Sequence, residues 1–502
     1  MSFRDKSFQA ATQRAAPLLP LVALPLVALS GCITMAPHYE RPAAPVPNSW
    51  PQGAAYGSNS ASDAAKPAKD ATPVAADLPW QQFVLDQRLR QVIQIALENS
   101  RDLRKSVAAI ESARAQYRVQ RASQLPSIDA GVSGSRARSL DTTSGSANTT
   151  VLTQSYSATV GLSSFELDLF GKLHSESKAA LESYLATAET ARATRISLIA
   201  ETASAWLTLA ADRSQLAIAQ ETLQSAQRSM GVTQKRLDAG VASAVDVHEA
   251  ETVYQQARAD VASYLTTVAQ DRNALELLAG HGIDDALLPE GLATDTQWLA
   301  DVPAGLSSDV LLQRPDVLSA EHTLKSANFS IGAARASFFP TLSLTAADGL
   351  ASTALSTLFS NGSNIWSVAP SVSLPLFSGG SNRATLAYAR SQKQEYLASY
   401  ELTVQTAFKE VADALARRGT IVEQLDAQQA LVNAAASSYQ LAEARYEKGA
   451  DTFLNALDSQ RTLYSAQQTL ISTRLTALDN SVTLYRVLGG GLAGTAEAQP
   501  AQ

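Results

Sequence analysis

The stretch RYEKGADTFLNALDSQR, residues 445–461, has a counterpart 209 residues earlier in the chain, RLDAGVASAVDVHEAET, residues 236–252. Both stretches contain a charged helix end, a glycine, a hydroxyl residue and the start of another helix. At the same offset, residues 172–280 align with residues 381–489 without a gap. The sequence therefore predicts a duplicated unit in which each copy contains a helical hairpin.

Each copy begins with a very long helix. About 68 residues without proline precede the turn, and a rise of about 1.5 Å per residue gives these helices a length of about 100 Å. Only Gly231 or Gly419 interrupts them. The turn itself is predicted at Gly240 or Gly449, because glycine readily adopts the left-handed conformation that ends a helix.

The hydroxyl residue after each glycine is predicted to cap the returning helix. Ser243 and Thr452 can both accept a backbone hydrogen bond at a helix N-terminus. Ser243 and Asp246 have the spacing of a reciprocal capping box, whereas Thr452 and Asn455 fit that motif less well.

Both returning helices carry apolar residues at alternating spacings of three and four, which is typical of a coiled-coil seam. Such stripes ordinarily mark helix packing, and we adopt that interpretation. The predicted seam of the first copy contains Val247, Ala250, Tyr254, Ala257, Val261, Tyr264 and Val268. The predicted seam of the second contains Leu454, Leu457, Tyr464, Ile471, Leu475, Leu478, Val482 and Tyr485, interrupted by Arg461 and Gln468.

A period of two precedes each long helix. In WSVAPSVSLPLF, residues 366–377, large apolar side chains alternate with small ones, which predicts a strand with one apolar and one small polar face. SYSATVGLSSFELDLF, residues 155–170, is similar, and a weaker alternation precedes each of them. Polar loops at residues 138–153 and 353–364 should join the four strands into two hairpins.

Each predicted strand is about long enough to cross an outer membrane at a tilt. Four strands cannot close on themselves, and open edges in lipid leave backbone groups unsatisfied at several kcal/mol each. The barrel must therefore be shared between copies of the chain. Two copies would give eight strands with a filled interior, whereas three would give twelve strands and room for a passage.

The amino terminus has the features of a bacterial lipoprotein signal. Basic residues precede LLPLVALPLVALS, residues 18–30, an apolar run too short to span a bilayer. The following LSGC resembles a lipobox, and Cys32 is the only cysteine in the chain. This resemblance implies cleavage before Cys32 and covalent attachment of S-diacylglycerol and an N-acyl chain such as palmitate. Because Ile33 rather than aspartate follows, it also implies sorting to the outer membrane.

Other chemistries find little support. The 502 residues carry a net charge of −7 without a cluster of basic residues, which argues against nucleic-acid binding. HExxH, GxSxG and Walker patterns are missing from the sequence. We therefore expect neither an enzyme, nor a metal site, nor a cofactor beyond the lipid on Cys32. The five histidines, which lack metal-ligand spacing, are His38, His174, His248, His281 and His322.

Several motifs resemble those of the outer membrane factors, the TolC-like exit ducts of Gram-negative efflux pumps. The resemblance is greatest to the OprM and NodT lipoprotein branch and covers nearly the whole mature chain. The order and spacing of the motifs carry it, together with the duplicated hairpins. The motifs are MAPHYERP after the lipobox, FELDLFGK (165–172), LLQRPDV (311–317), ASFFPTLSL (336–344) and LPLFSGG (374–380).

The resemblance implies an α+β membrane protein that forms a TolC-like homotrimer. A 12-stranded antiparallel β-barrel, four strands per chain, would lie in the outer membrane, and a long coiled-coil α-barrel would extend into the periplasm. Residues 85–124 and 315–337 resemble the shorter helices that complete the α-barrel. The implied partners are a periplasmic adaptor (membrane fusion protein) and an inner-membrane pump of the RND or ABC type. The duct would passively conduct drugs or other small molecules.

The resemblance also implies an iris-like gate. In this family, the hairpin that corresponds to the second copy bends inward and closes the duct. Asp458 corresponds to a ring of three carboxylates in the pore, and Leu454 to the apolar constriction beside it. Arg461, Tyr446 and Arg445 correspond to residues that tether the closed coil to neighbouring helices. Without the resemblance, Asp458 and Arg461 would be an ordinary solvated i,i+3 pair.

The adaptor is expected to contact the tips of both hairpins. These tips contain Gly240, Val241, Ser243, Gly449, Ala450 and Thr452. The predicted organisation is a signal peptide (1–31), a lipidated extension (32–84) with a flexible tether at 52–79, a first outer membrane efflux repeat (85–284), a connector (285–314), a second repeat (315–490) and a flexible tail (491–502).

Two other functions remain open at this point. One is a duct for type I protein secretion beside an ABC transporter. The other is a non-conducting coiled-coil envelope lipoprotein that acts as a scaffold. The alternating strand at residues 366–376 argues against the scaffold, because a purely periplasmic rod needs no lipid-facing β-ribbon.

Overall fold

The computed structural model describes residues 34–56, 78–140, 150–292, 297–302, 307–360 and 362–490. The predicted signal peptide, Cys32, most of the predicted tether and the C-terminal tail lie outside these ranges. In the described chain, no helix is both long enough and apolar enough to cross a membrane.

Long helices and a small sheet make up the secondary structure. The predicted 100 Å helices are confirmed, because α4 and α7 contain 67 residues each. The helices are α1 (Trp80–Phe83), α2 (Gln87–Asn99), α3 (Arg101–Ala122), α4 (Lys172–Asp238), α5 (Ala244–Ala279), α6 (Pro315–Ala336), α7 (Ser381–Glu447) and α8 (Phe453–Val487). The strands are β1 (Ile128–Leu140), β2 (Thr150–Leu167), β3 (Thr341–Ser352) and β4 (Asn364–Ser373).

The chain divides into two units, and each draws on both copies of the duplication. The strand unit combines the described parts of residues 1–39, 116–181 and 325–393. The helical unit combines the described parts of residues 40–115, 182–324 and 394–502. The sheet thus lies in one unit and both helical hairpin tips lie in the other.

In the strand unit, the strands form an antiparallel sheet in the order β1-β2-β3-β4. The residue pairs Ile128–Leu162, Leu162–Ala346 and Ala346–Val368 form one row across the whole sheet. Within the described chain, β1 and β4 each have a neighbour on one side only. The sheet is therefore open at both edges.

The sheet has the two different faces that the sequence predicts. On the small polar face, the hydroxyl oxygens of Ser133 and Ser157 lie 2.8 Å apart, as do those of Ser343 and Ser371. The opposite face carries mainly apolar side chains because side chains alternate along a strand. Its apolar members include Val132, Val160, Leu162, Leu342, Leu344, Val368 and Val372.

Two predictions about chain continuity are wrong in detail. The helical stretch expected at 85–124 is broken at Ser100, whose backbone is extended (φ −54°, ψ 132°) and separates α2 from α3. The tether expected to begin at residue 52 is packed as far as Tyr56, in a 3-10 turn. Its Ala55 backbone lies against Gly419 of α7, where any side chain would collide. Gly419 is thus a packing position.

In the helical unit, Arg314 of the LLQRPDV motif binds the C-terminal end of α8. This side chain is only 9% exposed. Its guanidinium lies 2.7 Å from Asp316 and 2.8 Å from Glu410, and it donates a hydrogen bond of 2.9 Å to the carbonyl oxygen of Val487. A buried cation that satisfies two carboxylates and a helix-terminal carbonyl is expected to be costly to remove.

Candidate functional site

The two hairpin turns have the same backbone. Gly240 (φ 73°) donates to the carbonyl oxygen of Leu237 at 2.8 Å, and Val241 donates to that of Arg236 at 2.9 Å. These two bonds are those of a Schellman motif. Gly449 (φ 70°) and its neighbours repeat the arrangement, with both bonds at 2.9 Å. The predicted glycine turns are confirmed.

The turns differ where the returning helix begins. The backbone nitrogen of Asp246 donates to the Ser243 hydroxyl at 3.2 Å, and the backbone nitrogen of Ser243 donates to the Asp246 carboxylate at 2.8 Å. The predicted capping box is therefore confirmed. The predicted cap at Thr452 is wrong, because its side chain makes no capping bond among the described residues.

Asp451 orders the second turn through a different set of hydrogen bonds. Its carboxylate accepts hydrogen bonds from the Thr452 backbone nitrogen at 2.8 Å and from Asn455 Nδ2 at 2.6 Å. These bonds, the backbone one above all, hold the pKa of Asp451 below its usual value, and Arg445 Nε at 3.1 Å adds to the effect. Arg445 thus has its described ion pair within its own turn.

Tyr446 joins the second hairpin to the first. This residue is only 8% exposed, and its ring centroid lies 5.2 Å from that of Phe453. The guanidinium of Arg236, on α4, lies 4.4 Å from the Tyr446 ring centroid and donates to the Tyr446 carbonyl oxygen at 3.0 Å. The hydroxyls of Tyr446 and the fully buried Thr233 are 3.4 Å apart. The predicted tethering side chain therefore contacts the neighbouring helix α4.

The start of α8 packs differently from the prediction. Phe453, Ala456 and Leu457 are buried and form an apolar cluster with Tyr446 and with Ala250 of α5. Leu454 is 47% exposed, so its assignment to the seam is wrong. Phe453 lies three and four residues before Ala456 and Leu457 and takes the buried helical face instead. The other predicted seam residues of both returning helices are buried or half-buried.

Asp458 and Arg461 form the expected i,i+3 pair. The atoms Arg461 Nη1 and Asp458 Oδ1 are 3.8 Å apart, and both side chains are more than half exposed. Arg461 Nη2 also donates to the Thr252 hydroxyl of α5 at 3.2 Å. Thr252 occupies the position in the first copy that corresponds to Arg461. Arg461 therefore links the two copies at equivalent positions.

A cleft of about 250 Å³ lies beside Arg461. Its walls come from α4, α5 and α8. The lining residues are Thr222, Thr252, Val253, Gln256, Ala257, Gln460, Arg461 and Tyr464.

Beyond the cleft, polar side chains bridge α5 and α8. The Tyr464 hydroxyl donates to Asp260 at 2.9 Å, and Gln468 Nε2 donates to the Tyr264 hydroxyl at 3.2 Å. Burial, then the nearby charges of Asp260 and Asp212, raises the pKa of Tyr264. Burial and Asp260 also raise the pKa of Tyr464, so both tyrosines are expected to stay protonated and Tyr464 remains a donor to Asp260.

A pair of carboxyl groups joins α4 to α5. Burial is the main reason why the pKa of Asp271 is raised to about 7, and a hydrogen bond with Asp212 and the charge of Asp212 raise it further. The other oxygen of Asp271, Oδ2, is buried without a partner among the described residues. Asp271 should therefore carry a proton over much of the acidic range.

Sequence reasoning missed three residues of the tip contacts, Thr233, Arg236 and Asp451. The duplication contains a signal for one of them, because Arg236 is the counterpart of Arg445. No pattern in the sequence indicates that Arg236 contacts the opposite hairpin while Arg445 stays within its own turn.

Known proteins are similar to this chain over most of its length. A family model described as outer membrane efflux protein matches residues 92–281 and 306–490. The chain is 46% identical over 463 residues to the antibiotic efflux pump outer membrane protein ArpC and to the toluene efflux pump outer membrane protein TtgC, both of Pseudomonas putida. Each alignment covers 92% of this chain and 93% of the relative.

A solved structure gives the same result for the fold. The open state of the Neisseria gonorrhoeae MtrE outer membrane channel superposes with a TM-score of 0.77 at 37% identity, over 91% of this chain and 98% of that chain. The fold is therefore that of a TolC-like outer membrane channel. The chain belongs to the outer membrane efflux protein family, whose role is transport.

Proposed function

We propose that the chain is one of three identical subunits of an outer membrane efflux duct for drugs or other small molecules. The open four-stranded sheet carries this proposal, because its edge strands β1 and β4 lack neighbours within the described chain. In lipid, an unpaired edge would leave a row of backbone groups unsatisfied. Three copies supply twelve strands, which suffice for a barrel with an open interior.

The gate is the second hairpin tip. Asp458 and Leu454 are both exposed in the single chain, as groups that face a pore would be. Three Asp458 carboxylates on one axis repel each other and attract cations. Tyr446 and Arg461 hold α8 against the first hairpin in the closed duct, and loss of these contacts releases it.

The duct works with a periplasmic adaptor and an inner-membrane pump of the RND or ABC type. Val241 and Val245 are exposed apolar side chains at the first tip and offer contact area to an adaptor. The trimer lies in the outer membrane of a Gram-negative bacterium and extends into the periplasm. S-diacylglycerol and an N-acyl chain on Cys32 anchor it further, since two or more acyl chains give stable membrane binding.

Disruption of the gene in its host tests this function. Susceptibility to antibiotics and organic solvents should rise, and the intact gene should restore resistance. Secreted proteins should be unchanged, which separates efflux from type I secretion. Crosslinking in intact cells should recover the adaptor and pump with the chain. Unchanged susceptibility to every compound tested, together with altered secretion, would contradict the proposal.

A further inference from the structure

The apolar face of the sheet has a definite height. On β3 it begins at Leu342, which pairs with Leu167 and Val372, and it reaches Ser352, which pairs with Tyr156, with the acidic Asp348 between them on the same face. The ten steps between these two residues, at about 3.4 Å each and with a strand tilt of about 40°, span about 25 Å, which is the height of the apolar band of an outer membrane barrel. Tyr156 is then at the edge of the band, where aromatic residues are enriched.

Two arginines lie on this same face beyond Tyr156. Tyr156 pairs with Gly134, and the next rows on β1 are Arg136 and then Arg138. Both share the face of Val132 because side chains two residues apart point to the same side. Arg136 lies about 7 Å beyond the aromatic row along the strand, and Arg138 about 13 Å beyond it. That places them level with lipid headgroups rather than hydrocarbon.

The two guanidinium groups are available for an anion. Both side chains are exposed, and no described residue forms an ion pair with either. Arg138 Nε donates to the Thr150 hydroxyl at 3.2 Å, which uses one of its five donors. The facing segments 131–140 and 150–162 contain no acidic residue, and one carboxylate, Asp141, follows in the loop outside the described residues.

The leaflet follows from the connections of the chain. β1 begins just after the end of α3 and β2 ends just before the start of α4, and these two helix ends belong to the strand unit. Arg136 and Arg138 therefore lie towards the strand ends opposite to these helix ends. If the helices extend into the periplasm, as proposed above, the arginines are in the outer leaflet. That leaflet of a Gram-negative outer membrane is rich in phosphorylated glycolipids. Guanidinium groups bind phosphate through two parallel hydrogen bonds.

We propose that Arg136 and Arg138 form a binding site for the phosphate groups of anionic glycolipids in the outer leaflet. The site rests on the proposed duct function, since it requires the sheet to be part of a barrel in the outer membrane. Its consequence is an outward-facing contact that fixes the depth and rotation of each subunit against the charged headgroup layer.

Lipid titration of the purified, detergent-solubilised protein tests this site. The probes are diphosphoryl lipid A, lipid A without its phosphates, and inorganic phosphate. The wild type should bind diphosphoryl lipid A and neither of the other two. Near an anionic surface, each basic group changes affinity roughly fivefold. The double variant Arg136→Gln/Arg138→Gln should therefore bind roughly 25-fold more weakly.

A face-swapped variant is the matched control. It adds Ser135→Arg and Ala137→Arg to the double variant, which restores the charge on the opposite face of β1. This variant should bind as weakly as the double variant. Restored binding would overturn the proposal, as would equal binding by wild type and double variant, binding of inorganic phosphate, or a wild type that ignores lipid A. Oligomer mass and single-channel conductance, measured on the same samples, report separately on the proposed duct.

Discussion

The two hairpin tips share one backbone and differ in their side chains. The first tip has a side-chain capping box between Ser243 and Asp246, and its Arg236 crosses to Tyr446 of the second hairpin. The second has no side-chain cap at Thr452 among the described residues and depends on contacts that cross to the first hairpin. The duplication thus keeps the glycine turn in both copies. The copies differ in how the returning helix is capped and in which side chains cross to the other hairpin.

The largest predicted effect comes from removing the tether. In Tyr446→Ala, the second tip loses its contacts with Thr233, Arg236 and Phe453, and loss of a buried aromatic side chain costs about 3–5 kcal/mol of unfolding free energy. Thermal unfolding should occur at a lower temperature, and single-channel conductance should rise.

Leu237→Ala is the matched control for Tyr446→Ala, because Leu237 occupies the equivalent position in the first copy and is half-buried. It should change conductance little. Equal conductance of the two variants would mean that the tips do not differ in the way described.

A second prediction concerns pH and the first hairpin. The first copy places Asp212 and Asp271 together, where the second has Ile421 and Asn480. The pKa of Asp271 is raised from 3.8 to about 7 in the folded protein. Between these two pH values the folded protein keeps a proton on Asp271 that the unfolded chain has released. Asp271 therefore lowers the free energy of unfolding progressively as the pH rises from about 4 to 7, and the whole of this loss is present above pH 7.

Asp271→Asn gives the first copy the residue of the second and removes this titration. The variant should unfold at a higher temperature than the wild type at pH 8, and the gap should close towards pH 4. Asp246→Asn, at the first tip, serves as a control that leaves the carboxyl pair intact. A stability gap that does not depend on pH would contradict the shared proton.

A smaller difference in stability is expected between substitutions at Ser243 and Thr452, where the two returning helices begin. Ser243→Ala should destabilise the protein by about 1 kcal/mol because it removes an N-cap, whereas Thr452→Ala should have almost no effect. Thermal unfolding of the two variants in the same detergent measures this contrast. If both substitutions lower the unfolding temperature equally, the second turn is capped by Thr452 after all.

The smallest effect on stability, with a clear effect on transport, is expected at Asp458 and Arg461. An exposed i,i+3 pair contributes at most about 0.5 kcal/mol. Asp458→Ala and Arg461→Ala should nevertheless loosen the resting duct and raise its conductance in planar bilayers. Glu249→Ala, the equivalent change in the first copy, should not. Unchanged conductance in both variants would count against the gate.

Much of the fold could be predicted because its signals are periodic. The 209-residue offset predicts both hairpins, and the glycine positions place both turns. Alternation of apolar and small residues predicts the strands and their two faces. Each of these patterns repeats over many residues, so a local exception such as Gly231 does not obscure it.

Single-residue details could not be predicted in the same way. Phe453 and Leu454 are adjacent and apolar, and only the phase of the helix decides which one is buried. The break at Ser100 and the packing of Ala55 on Gly419 depend on tertiary contacts. At the site, Tyr446, Arg461 and Asp458 come from the family resemblance. Arg236 and Asp451 emerge only from the geometry.

The mass of the purified protein in detergent tests the central claim most directly. The edge strands of an open four-stranded sheet must pair with strands of other copies. Native mass spectrometry or light scattering should therefore give three chains per particle, and circular dichroism should show β-structure. A stable monomer that binds no lipid or detergent belt around its sheet would contradict the shared barrel, and with it the duct.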